Sequence, residues 1–446
     1  MIRIFSKKIE RYKTIVKILG IEVYKTKTAE DIITYYFLGL PLYKKRISLS
    51  IKHSQCLQKE KDDFLDYVLN QFKDKSKFVP LTEKPYTRRA DDVKLIAFYL
   101  PQFYHFAIND EWHGKGFTEW TNVTKALPQF IGHEQPQLPI DVGFYSLETT
   151  SAMRRQIELA KMYGIYGWCF YYYWFSGKRI MEKPLLNFLN DKSLDMPFCL
   201  FWANENWTRN WGEPDVVAEK QLYEARVKEG DAEKFMQDAL PLMKDSRYIK
   251  IENKPVLIIY QLHDDEYDIF KLFIKEIRRI ACRNGFDGLY LIKVRDAKSS
   301  SQIQQFQFDA AVEFPPYYMQ GEIYDSNIKV INQAYRSRIV DINRYCAEKQ
   351  YLDKVSYPLM RGCFTTWDNT SRKYNSDCWS LVLQNAPLYY KQWLSDLIEW
   401  TKQNNREPEQ FVFINAWNEW AEGAHLEPDH RYGYAYLQAT KEAIEQ

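Results

Sequence analysis

Several familiar signatures are missing from this 446-residue chain, and each absence narrows what it can do. No run of about 18 consecutive apolar residues occurs, so no membrane-spanning helix is expected. The opening MIRIFSKKIERYK has no apolar h-region, so export by a signal peptide is not expected either. A cytoplasmic location follows as the expectation. There is no G-x-x-x-x-G-K-[ST] phosphate loop, no G-x-G-x-x-G after a strand, and no D-x-D pair to carry a metal–nucleotide complex. His105, His113 and His425 lack the H-E-x-x-H spacing of a zinc site, so neither a metal nor another cofactor is expected. The seven cysteines (Cys56, Cys169, Cys199, Cys282, Cys346, Cys363 and Cys378) are odd in number and contain no C-x-x-C pair. Most sit in apolar runs, which suits reduced, buried thiols better than a disulfide frame. The net charge is only +2, which argues against nucleic acid as a partner.

What the chain does contain is an ordinary soluble composition, 46% hydrophobic and 27% charged, with 13 Trp and 33 Tyr. Residues 1–52 stand apart, with 12 Lys/Arg against 4 Asp/Glu, which leaves 49 against 55 for residues 53–446. Inside this basic stretch ILGIEVYK (18–25) and FLGLPLYK (37–44) repeat at an offset of 19 residues. Each copy reads as a short strand or hairpin limb broken by glycine, with a basic tail. One reading is a patch that meets anionic lipid peripherally at the inner membrane, or an acidic partner. The other is a small β appendage with a solvated basic face. Residues 53–92 read as a connecting helix and loop, ended by Pro80 and Pro85.

From residue 93 onward strand-like and helix-like blocks alternate. Strands are expected at 93–103, 165–175, 196–203, 255–261, 288–294, 310–314, 359–365 and 411–416. Helical patterns lie between them, including 148–163, 231–244, 266–284, 341–350 and 387–404. Eight strands with helical connections match a (β/α)8 TIM barrel spanning 93–446, with the basic β appendage and connecting helix before it. An open doubly wound sheet is the alternative, weakened by the missing glycine fingerprint.

In such a barrel, chemistry sits where the strands end. After the first strand come Tyr99, Gln102, Trp112, Glu119 and Trp120; after the second, Tyr171, Tyr172, Tyr173 and Trp174. The third ends in Trp202, Asn204, Glu205, Trp207, Arg209 and Trp211, the fourth in Tyr260, the sixth in Glu313 and the seventh in Trp367 and Asp368. The eighth ends in Trp417-Asn418-Glu419-Trp420-Ala421-Glu422. Indole faces suit the C–H faces of a sugar ring, and amides and carboxylates suit its hydroxyls, so an oligo- or polysaccharide is the expected ligand. Glu419 and Glu422 form the best pair for glycosidic chemistry, which needs one protonated carboxyl and one carboxylate. Glu119, Glu205 and Glu313 are substitutes for either role.

Four long stretches, KLIAFYLPQFYHFAINDEWHGKGFTEWTNVTKALPQFIGHEQPQLP (94–139), YGIYGWCFYYYWFSGKRIMEKPL (163–185), FCLFWANENWTRNWG (198–212) and INAWNEWAEGAHLEPD (414–429), carry a family likeness. Together they resemble the WbsX family, whose members occur in bacterial O-antigen and capsule gene clusters and are often called glycosyltransferases. That domain is in turn similar to glycoside hydrolase family 99, endo-α-mannosidases on a (β/α)8 barrel with an N-E-W-x-E-G motif after the last strand. Here the motif is Asn418-Glu419-Trp420-Ala421-Glu422-Gly423. The resemblance implies Glu419 as general base, Glu422 as general acid and Asn418 as a residue that orients the ring. It also implies retention through an anhydro-sugar intermediate. Ala421 departs from the family 99 pattern, which usually has His there. Three functions stay open at this point. One is a retaining glycosidase or transglycosidase acting on a surface polysaccharide or its lipid-linked precursor. The others are a nucleotide-sugar glycosyltransferase and a non-catalytic glycan-binding protein.

Overall fold

Parallel strands covered on both faces must be apolar along their whole length, and the apolar runs become such strands. In the computed structural model they are Lys94–Tyr99, Gly167–Phe175, Phe198–Trp202, Lys254–Ile259, Tyr290–Val294, Ala310–Val312, Leu359–Phe364 and Phe411–Asn415. Each pairs in parallel with the next, and the eighth returns to the first through Phe413↔Ile96, so the sheet closes. The fold is a (β/α)8 TIM barrel. The structure describes the chain apart from residues 1–4, 11–12, 19–20, 30–31, 39, 47–48, 72, 208–222, 264–265, 329, 373–378 and 383–385. It also leaves out the side chains of most of residues 5–57 and of 60, 324 and 379–382.

Side chains alternate across the barrel wall with period two. Phe98, Tyr171, Phe201 and Phe413 point inward with Phe314 and fill the interior, Phe98 lying 5.4 Å from Phe201, 5.5 Å from Phe413 and 4.8 Å from Phe314. Their neighbours in sequence point outward to the helices. Trp202 lies 5.0 Å from Phe235 of the helix Asp231–Met243 and 5.4 Å from Phe273 of the helix Tyr267–Arg283. The remaining expected helices form at Ser151–Met162, Asn343–Ala347 and Ala386–Asn404. On the last, Trp393 and Leu397 are buried. Trp400 of the same helix covers the guanidinium of Arg361 at 4.3 Å.

Contacts divide the chain into two compact units, Met1–Gln71 and Phe72–Gln446. The first holds a five-stranded antiparallel meander, Phe5–Glu10, Lys13–Ile18, Ile21–Ala29, Ile32–Phe37 and Leu40–Arg46, followed by the helix Leu49–Asn70. The 19-residue repeat is a repeat of hairpins. Ile18 pairs with Ile21 and Phe37 with Leu40, and each hairpin shifts register at the equivalent step, Val16/Lys17 and Tyr35/Tyr36. Among the described residues no helix is long and apolar enough to cross a membrane.

Candidate active site

The eighth strand delivers the motif to the C-terminal mouth, and hydrogen bonds then pin it. The Trp417 N–H donates to the Phe98 carbonyl at 2.8 Å. The Asn418 amide accepts from the Leu100 N–H at 2.7 Å and donates to the Leu100 carbonyl at 3.0 Å, tying the motif to the end of the first strand. Asn418–Glu419 then pairs with Ala424–His425, which makes the motif a tight hairpin around a 3-10 turn, Trp420–Glu422. Gly423 closes that turn at φ +62°, and a Cβ there would lie 3.1 Å from the Asp368 backbone. The left-handed conformation and the crowding together explain the glycine.

Under the hairpin lies Glu427, fully buried. It accepts from Trp417 Nε1 (3.2 Å), Trp420 Nε1 (2.6 Å), Gln156 Nε2 (2.6 Å) and the Tyr145 hydroxyl (3.0 Å). Burial outweighs these donors and pushes its carboxyl up to about 7. Both tryptophans of the motif are thereby struts, held by their indole N–H groups.

The loop after the seventh strand completes the site. The Asp368 N–H donates to the Glu422 carbonyl at 2.6 Å, and the Ser371 hydroxyl to the Ala421 carbonyl at 2.5 Å. The next residue, Arg372, reaches Glu422 at 2.6 Å, Glu119 at 3.1 Å and Glu419 at 3.5 Å. One guanidinium therefore faces three carboxylates. Burial, and then the charge of Glu422, drive the Glu419 carboxyl well above the usual range, against the opposing pull of Arg372 and the Tyr171 hydroxyl. Glu422 is also raised by burial, with Arg372 opposing through a direct hydrogen bond. Glu205, on the loop after the third strand, is pushed up to about 7 by burial and by Glu422. The arrangement raises the proton affinity of these carboxyls, which suits an acid/base site.

Of the residues expected on the rim, the structure brings together Glu119, Glu205, Glu419 and Glu422. Tyr171 and Tyr173 face them, with Glu419 the first charge acting on both hydroxyls after burial. Tyr260, half-buried, feels Glu205. An aromatic wall adjoins them, where Trp207 lies 5.1 Å from Tyr173 and 6.1 Å from the half-buried Trp112. Gln102 and Trp367 are half-buried. Arg209 and Trp211 lie outside the described residues.

Others expected to touch sugar sit elsewhere. Tyr99, Tyr172, Trp174 and Trp202 occupy the outward parity of their strands. Tyr99 bonds Gln156, Trp174 bonds Asp238, Trp202 bonds the Trp174 carbonyl, and Tyr172 packs edge-on against Phe235. Trp417 and Asn418 are fully buried in the hairpin's own bonds, and Trp120 donates to the Tyr145 carbonyl from a buried position. Asn204 is a buried clamp on the loop after the fourth strand, bonded to the backbone of Tyr260 and Gln261. Glu313 joins Arg295, Arg361 and the Gly362 N–H, away from the pair. In the structure these residues serve packing and hydrogen bonding within the fold. Arg372 and Glu427 went unassigned in the sequence. The signal for Arg372 was indirect: a rim with this many glutamates needs a cation.

The site is thus a cluster of buried glutamates around one guanidinium at the mouth of a closed (β/α)8 barrel, beside an aromatic wall. The chain belongs to the family described as glycosyltransferase WbsX, whose model matches residues 95–440. It is 38% identical over 357 residues to the uncharacterized protein WxcX from two strains of Xanthomonas campestris pv. campestris. That match covers 78% of this chain and 49% of WxcX, so the chain spans about half the length of the curated relatives it matches. Among solved structures it is similar to a glycoside hydrolase-like protein, with TM-score 0.50, 14% identity, and coverage of 83% of this chain and 98% of that one. The GH99 endo-α-mannosidase from Bacteroides thetaiotaomicron follows at TM-score 0.44 and 13% identity, covering 79% of this chain and 96% of that one.

Proposed function

We propose that the chain is a retaining glycoside hydrolase or transglycosidase acting on a bacterial surface polysaccharide, O-antigen or capsule, or on its lipid-linked precursor. The observation that carries this reading is the pair Glu419 and Glu422 on one hairpin, meeting one guanidinium at the barrel mouth. Following the family 99 likeness, Glu419 takes the proton of the sugar's 2-hydroxyl. That oxygen attacks the anomeric carbon and displaces the leaving group, whose oxygen takes a proton from Glu422. Water or an acceptor hydroxyl then opens the anhydro sugar, returning both protons and retaining configuration. The reading extends to a cytoplasmic protein whose residues 1–52 meet the inner membrane peripherally.

The family's description favours a second reading, a nucleotide-sugar glycosyltransferase. Such an enzyme needs cationic groups for a diphosphate. Among the described residues of the site the cation facing the carboxylates is Arg372, which three of them already engage. One assay separates the readings. Candidate oligosaccharides are incubated with and without nucleotide sugars, using the intact chain, Glu419→Gln and Glu422→Gln. Cleavage without a donor supports the glycosidase. Loss of the acid costs about 10²–10⁴ in rate on a poor leaving group, and an aryl glycoside restores Glu422→Gln but not Glu419→Gln. Dependence on a nucleotide sugar would overturn the proposal.

A further inference from the structure

The topology of the N-terminal meander gives its repeat a use. In an antiparallel meander the turns alternate between the two ends of the sheet. The paired ends Ile18↔Ile21 and Phe37↔Leu40 therefore lie at the same end, and the paired residues are apolar in both. The opposite end differs. Glu10 pairs with Lys13 there.

The second of these hairpin ends is exposed. Leu38, Leu40 and Leu42 are 57%, 69% and 70% exposed, and Phe37 and Tyr43 are exposed beside them. Soluble surfaces carry exposed leucines singly, whereas five in seven residues form a patch that calls for a partner. Lysines follow within a few residues on the strands, Lys44 and Lys25 among them, opposite Thr34 and Tyr36. An apolar tip backed by cations, in a stretch with 12 basic and 4 acidic residues, matches the apolar edge and anionic headgroups of a bilayer.

We propose that the exposed hairpin end, with Phe37, Leu38, Leu40 and Leu42, inserts into the interface of an anionic lipid membrane, with the strand lysines on the headgroups. This rests on the membrane reading of residues 1–52 and names the contact.

The test uses the full chain and vesicles of phosphatidylcholine with and without phosphatidylglycerol, read by co-sedimentation at low and high salt. The intact chain binds the anionic vesicles and is released by salt. Leu38→Ser with Leu40→Ser binds about tenfold more weakly or worse. Lys25→Gln with Lys44→Gln loses about fivefold per charge. Both pairs are at least partly exposed, and an unchanged tryptophan emission spectrum confirms the barrel unit is intact. If the leucine variant binds like the intact chain while the lysine variant is weakened, the hairpin end does not insert and only the broader membrane reading stands. If the intact chain binds neither vesicle, both fail. Self-association of the intact chain that the leucine variant abolishes, without vesicle binding, would assign the hairpin end to a second copy and overturn the proposal.

Discussion

Replacing Arg372 by methionine removes the cation that three carboxylates share and keeps most of the apolar stem. The Arg372 side chain is 10% exposed, and those of Glu119, Glu419 and Glu422 are 8%, 6% and 15% exposed, so solvent screens the group weakly. Breaking a buried pair from one side typically costs about 3–5 kcal/mol, because the remaining charge is left uncompensated. The carboxylates can escape by taking up protons. Each pKa unit by which Arg372 had held a carboxyl down is worth about 1.4 kcal/mol between its two protonation states. The sign follows: the variant's carboxyls titrate higher than those of the intact chain, so the variant binds extra protons at low pH and loses that relief as pH rises. The destabilisation should be near the full 3–5 kcal/mol at pH 8 and about 1–2 kcal/mol at pH 5. Urea titrations at several pH values measure it. All 13 tryptophans lie beyond residue 71, so tryptophan fluorescence, excited selectively, reports the barrel unit alone. Arg372→Lys should fall between, since an ammonium supplies charge but not the fork that spans Glu422 and Glu119. A loss that stays constant from pH 5 to pH 8 would refute the shared-cation account.

Two further outcomes follow from burial and close packing. Glu205, Glu427 and Asp429 are pushed up to about 7, each chiefly by burial. The folded chain therefore holds more protons than the unfolded one between about pH 4.5 and 7, and stability falls through that window by at most about 1.4 kcal/mol per pH unit for each net proton. His425, held down to about 4 by burial, works in the other sense below about 6.5. A melting temperature that declines from pH 5.5 to pH 8 is expected, and one that climbs over that range contradicts the burial. At Gly362 an added Cβ would lie 2.4 Å from the Glu313 carbonyl oxygen, between the sixth and seventh strands. Gly362→Ala should cost at least about 2 kcal/mol in the same urea assay, as overpacking against a backbone atom does.

The barrel was legible because each of its strands is a short apolar run, and the helices because their apolar residues recur at helical spacing. What stayed hidden was parity. Tyr171 and Tyr172 are adjacent and chemically equal, yet one faces Glu419 and the other packs on Phe235. Reading every aromatic that ends a strand as rim ignored the period of two that sends alternate side chains to the helices. Trp202 went out with Tyr172 for the same reason. Asn418 and Glu427 were visible as polar residues of the motif, but polar type alone does not separate a ligand contact from a buried clamp. Their partners, Leu100 and Tyr145, lie hundreds of residues away in sequence.

The polarity of the glutamate pair bears on the proposed chemistry. The family likeness puts the proton on Glu422 when the glycosidic bond breaks. The geometry favours charge on Glu422, because a guanidinium at 2.6 Å stabilises the carboxylate, while Arg372 is 3.5 Å from Glu419. Glu419 is the carboxyl whose affinity for a proton burial and its neighbour's charge raise most clearly. The two arrangements differ by one proton and by which carboxylate the same arginine favours. On the proposed chemistry a sugar 2-hydroxyl gives its proton to a charged Glu419, which would require productive binding to draw the guanidinium toward Glu419. That movement raises Glu422's affinity for a proton as it lowers Glu419's, and a transfer between the two leaves the site's net charge unchanged. On the proposed chemistry substrate binding, rather than bulk pH, would then set which glutamate is the acid. Arg372 becomes a positioning residue whose loss moves the pH profile of kcat more than that of kcat/KM, since only the bound enzyme needs the transfer.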